Sequence, residues 1–290
     1  MRLKSLAFST INNVLALGNV TLRRLDVDFQ TRIDQPQQLR KMFVALAREY
    51  DAWLATQRIK PPVATYDTAQ AIGDFFNQYL NSSHRRIGGA SRFNNLMCLH
   101  LLARTYDPPV IIDSGTFTGS SAWALKLGAP DAKLYSFDIT LRYLKERMPG
   151  VDYFEHDWTA FDWSGVDLSQ ALVYFDDHVD QARRLIEASA AGVELCVFDD
   201  DFPVATFPPR AHGGFSLPKI EFLLDESLSG VEELTWVEGK TQRRWKIPHE
   251  RMDLARALIA ETCRMPNTSL ITDVHQTPYR LVRIKKLSKQ

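Results

Sequence analysis

Hydrophobic positions in the first hundred residues repeat with the spacing of helices. From residue 38 onward, one face of a predicted helix collects the apolar side chains of Leu39, Met42, Phe43, Leu46, Tyr50, Trp53 and Leu54. Pro61 and Pro62 follow it, a second such stripe runs from Ile72 to Leu80, and Ser91 could cap a third helix. We therefore predict a helical N-terminal extension over residues 1–107.

Beyond Pro109 the pattern changes to short apolar runs that alternate with helical segments. The predicted strands are 110–113, 133–138, 153–155, 172–176 and 195–199, and the predicted helices between them are about 120–127, 141–147 and 179–191. Such continuous apolar runs are typical of a parallel sheet that is covered on both faces, and the alternation indicates βαβ units. Residues 108–290 are thus predicted to form an α/β domain: a Rossmann-like, doubly wound, mostly parallel sheet.

The C-terminal third has a weaker pattern. Residues 216–228 and 249–263 have helical spacing, whereas residues 232–238 and 279–285 have the pattern of strands. We expect these two strands to close the sheet. In an open α/β sheet, ligands bind at the carboxyl ends of the strands, so the candidate chemistry is sought there.

The first strand-to-helix turn carries the sharpest motif. Asp113 ends the strand, and Gly115 and Gly119 follow within the turn, with the spacing D-x-G-x-x-x-G. Glycine lets a backbone approach a ligand closely, and a helix N-terminus offers free N–H groups. The spacing is not the G-x-G-x-x-G of dinucleotide binding, which disfavours NAD. A plain turn without a ligand stays open as the alternative.

Acidic residues also end the next two strands. Asp138 is placed to accept hydrogen bonds from a ribose diol, although it could instead cap the following helix. Asp157, with Trp158 beside it, could hold an adenine by a hydrogen bond and stacking, and a core position for Trp158 is equally compatible. The three acidic strand ends together indicate a nucleoside site more strongly than any one of them.

The fourth and fifth strands end in two clusters of carboxylates. The first is Asp176-Asp177-His178 and the second is Asp199-Asp200-Asp201. Neighbouring parallel strands would bring these charges together, and a hard divalent cation such as Mg²⁺ would relieve their repulsion. Helix capping by Asp177 and a turn that begins at Asp201 are the structural alternatives.

Residues 88–201 resemble the cofactor half of class I S-adenosylmethionine (SAM)-dependent methyltransferases. The resemblance implies that Asp138 binds ribose, that Asp157 and Trp158 meet adenine, and that the methionine end lies against Asp113, Gly115, Thr116, Gly119 and Ser120. The two acidic clusters resemble those of metal-dependent sugar O-methyltransferases and of cephalosporin-hydroxylase-like proteins. That similarity implies the metal ligands Asp176, Asp199 and Asp200.

The resulting expectation is methyl transfer from SAM to an oxygen of a small, polar, sugar-like acceptor, with Mg²⁺ or a similar ion. A metal lowers the pKa of an alcohol and a base removes its proton; His178 is the first candidate for that base and Asp177 the second. Two alternatives remain open. One is a metal-dependent hydrolase or hydroxylase-like enzyme, and the other is a catalytically silent, methyltransferase-like binding protein.

Composition narrows the class of protein. The 290 residues include 35 basic and 35 acidic side chains, so the formal net charge is zero, which argues against non-specific nucleic-acid binding. The three cysteines form no pair, which favours a reducing compartment such as the cytoplasm. Residues 1–22 are amphipathic, and both packing on the protein itself and contact with a membrane or partner stay open. Homo-oligomerisation is also left open.

Overall fold

The computed structural model describes residues 28–29, 35–86, 91–206, 216–238 and 240–285. The amphipathic segment 1–22 lies outside them. The helices are Pro36–Thr56 (α1), Thr68–Asn81 (α2), Phe93–Tyr106 (α3), Ser120–Gly128 (α4), Gln181–Ala190 (α5), Ile220–Leu224 (α6), His249–Leu258 (α7) and Ser269–Thr272 (α8). The strands are Val110–Ser114 (β1), Lys133–Phe137 (β2), Val151–Phe154 (β3), Leu172–Phe175 (β4), Leu195–Phe198 (β5), Glu233–Glu238 (β6), Thr241–Lys246 (β7), Ile259–Arg264 (β8) and Arg280–Ile284 (β9).

Seven strands form one sheet, in the order β3-β2-β1-β4-β5-β9-β8. The first five are parallel to one another, and β9 runs antiparallel to both β5 and β8. From β1 the chain adds β2 and β3 on one side and then β4 and β5 on the other. The position beside β1 is therefore the topological switch point of a doubly wound fold. The predicted Rossmann-like, mostly parallel sheet is therefore confirmed.

Apolar side chains cover both faces of the sheet, because successive residues of a strand point to opposite sides. Ile111 packs into one cluster with α1 to α4, and Ile112 packs into the other with α5 to α7. The helices of the N-terminal region thus contribute to one of the two helical layers. Helix α3 is buried along almost its whole length, so its polar residues need partners; Asn94 donates to the carbonyl of Val274 at 2.8 Å.

Two expectations for the C-terminal third were wrong. Residues 259–264 form β8 instead of continuing a helix, because β9 offers a free row of hydrogen-bonding groups with which they pair. Strand β6 pairs with β7 in a separate antiparallel hairpin and does not close the main sheet. At residues 259–264 pairing with a strand distant in sequence overrode the local periodicity, whereas β6 is the strand that the periodicity predicted but pairs with its neighbour β7.

The segment after β2 also differs from its prediction. Residues 141–147 have no helix; they fold back over the first turn, where Lys145 donates its N–H to the carbonyl of Thr118 at 3.4 Å. The helix expected over 216–228 is reduced to α6 and a short 3₁₀ turn at Glu226–Leu228. Within the described residues, the helices are all too short or too polar to span a bilayer.

Candidate functional site at the carboxyl edge of the sheet

The strand ends that carry the candidate residues meet at one edge of the sheet. Ser114, Phe137, Phe175 and Phe198 lie in register at the ends of β1, β2, β4 and β5. The ladder continues one residue further, since Asp176 donates its N–H to the carbonyl of Ser114 at 2.8 Å. The residues that follow these strands are therefore neighbours in space, as the sequence predicted.

The turns at this edge contain backbone in an unusual conformation. Phe117, His178 and Asp200 have φ angles of 41°, 55° and 54°, although none of them is a glycine. A non-glycine residue in the left-handed region costs on the order of 1–3 kcal/mol, and such residues concentrate at functional sites. Three of the six such residues in the described part of the chain follow β1, β4 and β5 at this edge.

Asp113 lies inside β1, below the turn, and is fully buried. The Ser136 hydroxyl donates a hydrogen bond to Oδ2 of Asp113 at 2.6 Å, and Thr116 Oγ1 lies 2.7 Å from the Ser136 hydroxyl. Oδ1 has no hydrogen-bond partner among the described residues. Burial raises the pKa of Asp113 to about 7. The sequence did not identify Ser136, whose place opposite Asp113 is set by the register of β1 and β2.

Gly115 is required by the packing of the backbone around it, and Gly119 by its φ of 86°. A Cβ on Gly115 would lie 2.4 Å from the carbonyl oxygen of Asp176, and one on Gly119 would lie 2.8 Å from the side chain of Leu144. Gly119 is the N-cap of α4, and Ser120 begins that helix. The Ser120 hydroxyl lies 2.9 Å from Nδ1 of the buried His84. This contact leaves the Ser120 side chain facing the protein interior.

Asp138 stands at the surface beside an exposed apolar patch. Its carboxylate accepts hydrogen bonds from the N–H groups of Phe117 at 2.8 Å and Thr140 at 3.1 Å. Ile139 is 82% exposed, and the partly exposed rings of Phe117 and Tyr143 lie 5.5 Å apart. We call Phe117, Ile139 and Tyr143 the edge patch. A carboxylate next to an open apolar surface suits a ligand with both hydroxyl groups and a flat apolar ring.

The residues expected at adenine are engaged with the protein. Arg184 donates to both carboxylate oxygens of Asp157, at 2.6 and 3.2 Å, and the Thr159 N–H donates at 3.0 Å. Burial alone would raise the pKa of Asp157, but these hydrogen bonds outweigh it and lower that pKa to about 2. Trp158 is only 1% exposed and packs on Phe175 in the core. The structure thus places Trp158 in the core position that the sequence left open.

Asp177 is held by three donors. The Ser114 hydroxyl donates at 2.6 Å, Arg184 Nε at 2.8 Å and the Val179 N–H at 3.1 Å. The last contact is the capping role that the sequence left open. Because its oxygens are engaged, Asp177 is poorly placed to act as the base expected of it. The buried Arg184, which joins Asp157 and Asp177, was not identified from the sequence.

The structure draws the acidic clusters together in a different combination from the one the sequence implied. Asp176, His178 and Asp200 each present one ligand atom, and these atoms lie within 4.8 Å of one another. His178 Nε2 is 4.0 Å from Asp176 and 3.8 Å from Asp200. Burial, together with Asp199 and Asp200, raises the pKa of Asp176 well above its usual range. We call Asp176, His178 and Asp200 the ion cluster.

Asp199, the third expected ligand, lines the same cavity as the ion cluster and is 4% exposed. Tyr174 donates its hydroxyl to Oδ2 at 2.9 Å, and Thr277 donates its hydroxyl to Oδ1 at 2.6 Å. Burial, with the charge of Asp200, raises the pKa of Asp199 to about 7. Its contacts are those of a residue that supports the site from beneath.

The donor set and the space of the ion cluster fit a single small cation. Two carboxylates and one imidazole are ligands that suit Mn²⁺ or a similar ion, whereas Mg²⁺ prefers oxygen alone. The cavity lined by this cluster has a volume of about 10 Å³ and also touches Ser216 and Lys219. Such a space holds about one water molecule or ion and is too small for a nucleoside.

Comparisons with known proteins return structural neighbours only. No family model matches the chain, and no curated protein does. The O-methyltransferase TomG of Streptomyces achromogenes, from tomaymycin synthesis and in complex with SAM, has a TM-score of 0.41 and 12% identity, over 87% of this chain and 99% of its own. The methyltransferase PaMTH1 of Podospora anserina, bound to S-adenosylhomocysteine (SAH), has a TM-score of 0.38 and 12% identity. The match covers 89% of this chain and 100% of PaMTH1. An O-methyltransferase of Bacillus cereus in complex with SAH has a TM-score of 0.38 and 9% identity. The match covers 83% of this chain and 99% of the Bacillus protein.

Proposed function

We propose that this protein is a SAM-dependent O-methyltransferase that acts on a small polar acceptor and uses a divalent ion. The observation that carries the proposal is the pairing of two features at one sheet edge: Asp138 with the edge patch, and the ion cluster two strands away. The first suits the nucleoside of SAM, and the second suits an ion beside an acceptor oxygen. The motif resemblance of residues 88–201 supports the same assignment.

The nucleoside half of the proposal rests on exposure and charge. Asp138 lies at the end of β2, beside the switch point of the sheet, and keeps part of its carboxylate open to solvent. A ribose diol donates two hydrogen bonds to such a carboxylate, and the edge patch offers apolar surface to a base. An 82% exposed isoleucine in this place is explained if a ligand covers Ile139.

Methyl transfer requires a nucleophile in line with the methyl group. The chemistry that a bound divalent ion supplies is a lower pKa for an acceptor hydroxyl. Asp176, His178 and Asp200 would hold that ion, and Asp199 would fix their surroundings through Tyr174 and Thr277. Asp113 and Asp177 would act by supporting the turns. The sugar-like nature of the acceptor stays part of the proposal.

His178 has two roles in this proposal that compete. A base needs a free Nε2, whereas an ion bound by the cluster would take that nitrogen, which faces both carboxylates. Because these distances place Nε2 between the two carboxylates, we favour the role of ligand. The side chain is 55% exposed, so it is open to an acceptor in either role.

SAH binding, measured by calorimetry and by thermal shift, tests the nucleoside half. The wild type should bind SAH and unfold at a higher temperature with it. Ile139→Glu should weaken binding at least about tenfold, since it places a charge where an apolar surface meets the base. Val63→Glu is the matched control, because Val63 is 63% exposed in a loop before α2; binding should be unchanged.

A second candidate function is a metal-dependent hydrolase or hydroxylase-like enzyme. It is favoured by the ion cluster, which needs no nucleoside to hold a cation. A wild-type protein that binds Mn²⁺ but neither SAM nor SAH would support this candidate and end the methyltransferase proposal. Binding of none of the three would instead favour the catalytically silent protein.

A further inference from the structure

Lys219, immediately before α6, is buried at the acidic edge of the sheet. Its exposed fraction is 1%, and its Nζ donates a hydrogen bond to the hydroxyl of Ser216 at 2.9 Å. It lines the same small cavity as the ion cluster. A lysine is almost never buried to this extent unless carboxylates compensate its charge.

Other cations at this edge are committed to particular carboxylates. Arg184 pairs with Asp177 at 2.8 Å, and Arg280 pairs with Asp201. Asp199 accepts hydrogen bonds from the hydroxyl groups of Tyr174 and Thr277 and from the N–H of Asp200. Each of these carboxylates therefore has a fixed partner other than Lys219.

Lys219 instead lines the cavity, together with Asp176, Asp199 and Asp200. Among the described residues that line this cavity, Lys219 is the only lysine or arginine. Ser216, which accepts its hydrogen bond, lines the same cavity. The lysine side chain therefore borders the space in which a divalent ion would be held.

We propose that Lys219 is a built-in cation of the ion cluster, which competes with a divalent ion and so sets the affinity of the site for it. This inference rests on the ion site of the proposed function. Two positive charges in a space of low effective dielectric constant repel each other strongly, even when carboxylates surround them. The native cluster should therefore bind an ion more weakly than its three ligands alone would.

Calorimetric titration with Mn²⁺ alone, in the absence of SAM and acceptor, tests the inference. Lys219→Gln and Lys219→Met should each bind Mn²⁺ at least about tenfold more tightly than the wild type, because one repelling charge is gone. Lys219→Arg keeps the charge and with it the repulsion, so it should bind Mn²⁺ more weakly than either neutral variant. Lys246→Gln, which removes an exposed lysine of β7, is the control for net charge and should change nothing.

Thermal unfolding establishes that each variant is folded, and the two neutral replacements guard against one that is not. Unchanged or weaker Mn²⁺ binding in a folded Lys219→Gln or Lys219→Met variant would overturn the role of Lys219 while leaving the ion site intact. No binding in any variant would overturn both. Tight binding that survives addition of Asp200→Asn to Lys219→Gln would place the ion elsewhere and also overturn the inference.

Discussion

The carbonyl oxygen of Asp176 lies 2.4 Å from the point that a Cβ on Gly115 would occupy. The ends of β1 and β4 can approach so closely only because residue 115 has no side chain. Gly115 also has a φ of 111°, which other residues rarely adopt. The glycine that the sequence assigned to a cofactor turn therefore also fixes the position of Asp176 in the ion cluster.

Gly115→Ala should destabilise the protein by more than about 3 kcal/mol, because it adds a backbone clash to the cost of a positive φ. Gly192→Ala separates the cost of the positive φ from the cost of the clash. Gly192 has a φ of 82° and open space around it, so the substitution should cost about 1–2 kcal/mol. Urea unfolding of both variants measures the difference. Equal losses of stability would show that the contact with Asp176 is relieved at little cost.

Arg184 joins three elements through its guanidinium group. It pairs with Asp157 after β3, Asp177 after β4 and Glu187 on its own helix, and its side chain is 2% exposed. Arg184→Met should cost about 2–4 kcal/mol in the free energy of unfolding, because it leaves three partly buried carboxylates without their partner. Arg183→Met removes an exposed pair with Glu187 and should cost no more than about 0.5 kcal/mol. Similar losses in the two variants would contradict the structural role of Arg184.

The pKa of Asp113 makes the stability depend on pH. Burial raises that pKa from 3.8 in the unfolded chain to about 7 in the folded protein, so the folded state holds the proton more tightly between these values. The contribution of Asp113 to stability is fully present below about pH 4 and is lost as the pH rises through about 7. At its steepest, one such group changes the free energy of unfolding by about 1.4 kcal/mol per pH unit.

Asp113→Asn should remove this part of the pH dependence, so the variant should lose less stability than the wild type between pH 5 and pH 7. The two slopes should differ by up to about 1.4 kcal/mol per pH unit, the value for one proton. Urea unfolding at several pH values measures it. Asp131→Asn changes an exposed carboxylate in the turn after α4 and should keep the wild-type slope. A slope in Asp113→Asn as steep as in the wild type would show that Asp113 is ionised throughout this range.

The ion cluster predicts which side chains an ion needs. His178→Ala should weaken Mn²⁺ binding at least about tenfold, because it removes a ligand atom, and Asp199→Asn should weaken it by a smaller factor, because Asp199 is held by Tyr174 and Thr277 and acts through its neighbours. His275→Ala, at an exposed histidine outside the cluster, is the control. The opposite order of effects would restore the ligand set that the sequence implied, with His178 free to act as the base.

The sequence by itself determined the central sheet and the edge at which its candidate residues meet. Strands β1, β4 and β5 consist mainly of apolar residues. An aspartate directly follows β2, β4 and β5, and Gly115 directly follows β1; each of these features is visible in a short stretch of sequence. A run buried on both faces leaves a continuous apolar signature, and right-handed βαβ connections then place the carboxyl ends of parallel strands together. The placement of Asp138, Asp176, Asp199 and Asp200 at this edge follows from that reasoning alone.

Only the tertiary structure decided what each of these carboxylates does. Arg184 occupies Asp157 and Asp177, Thr277 holds Asp199, and Lys219 enters the cavity from a segment far along the chain. Pairing over such distances depends on which elements pack together, and a local pattern of apolar and polar residues carries no record of it. The same physics explains β8, which became a strand because β9 supplied hydrogen-bonding partners that the periodicity of residues 259–264 does not reveal.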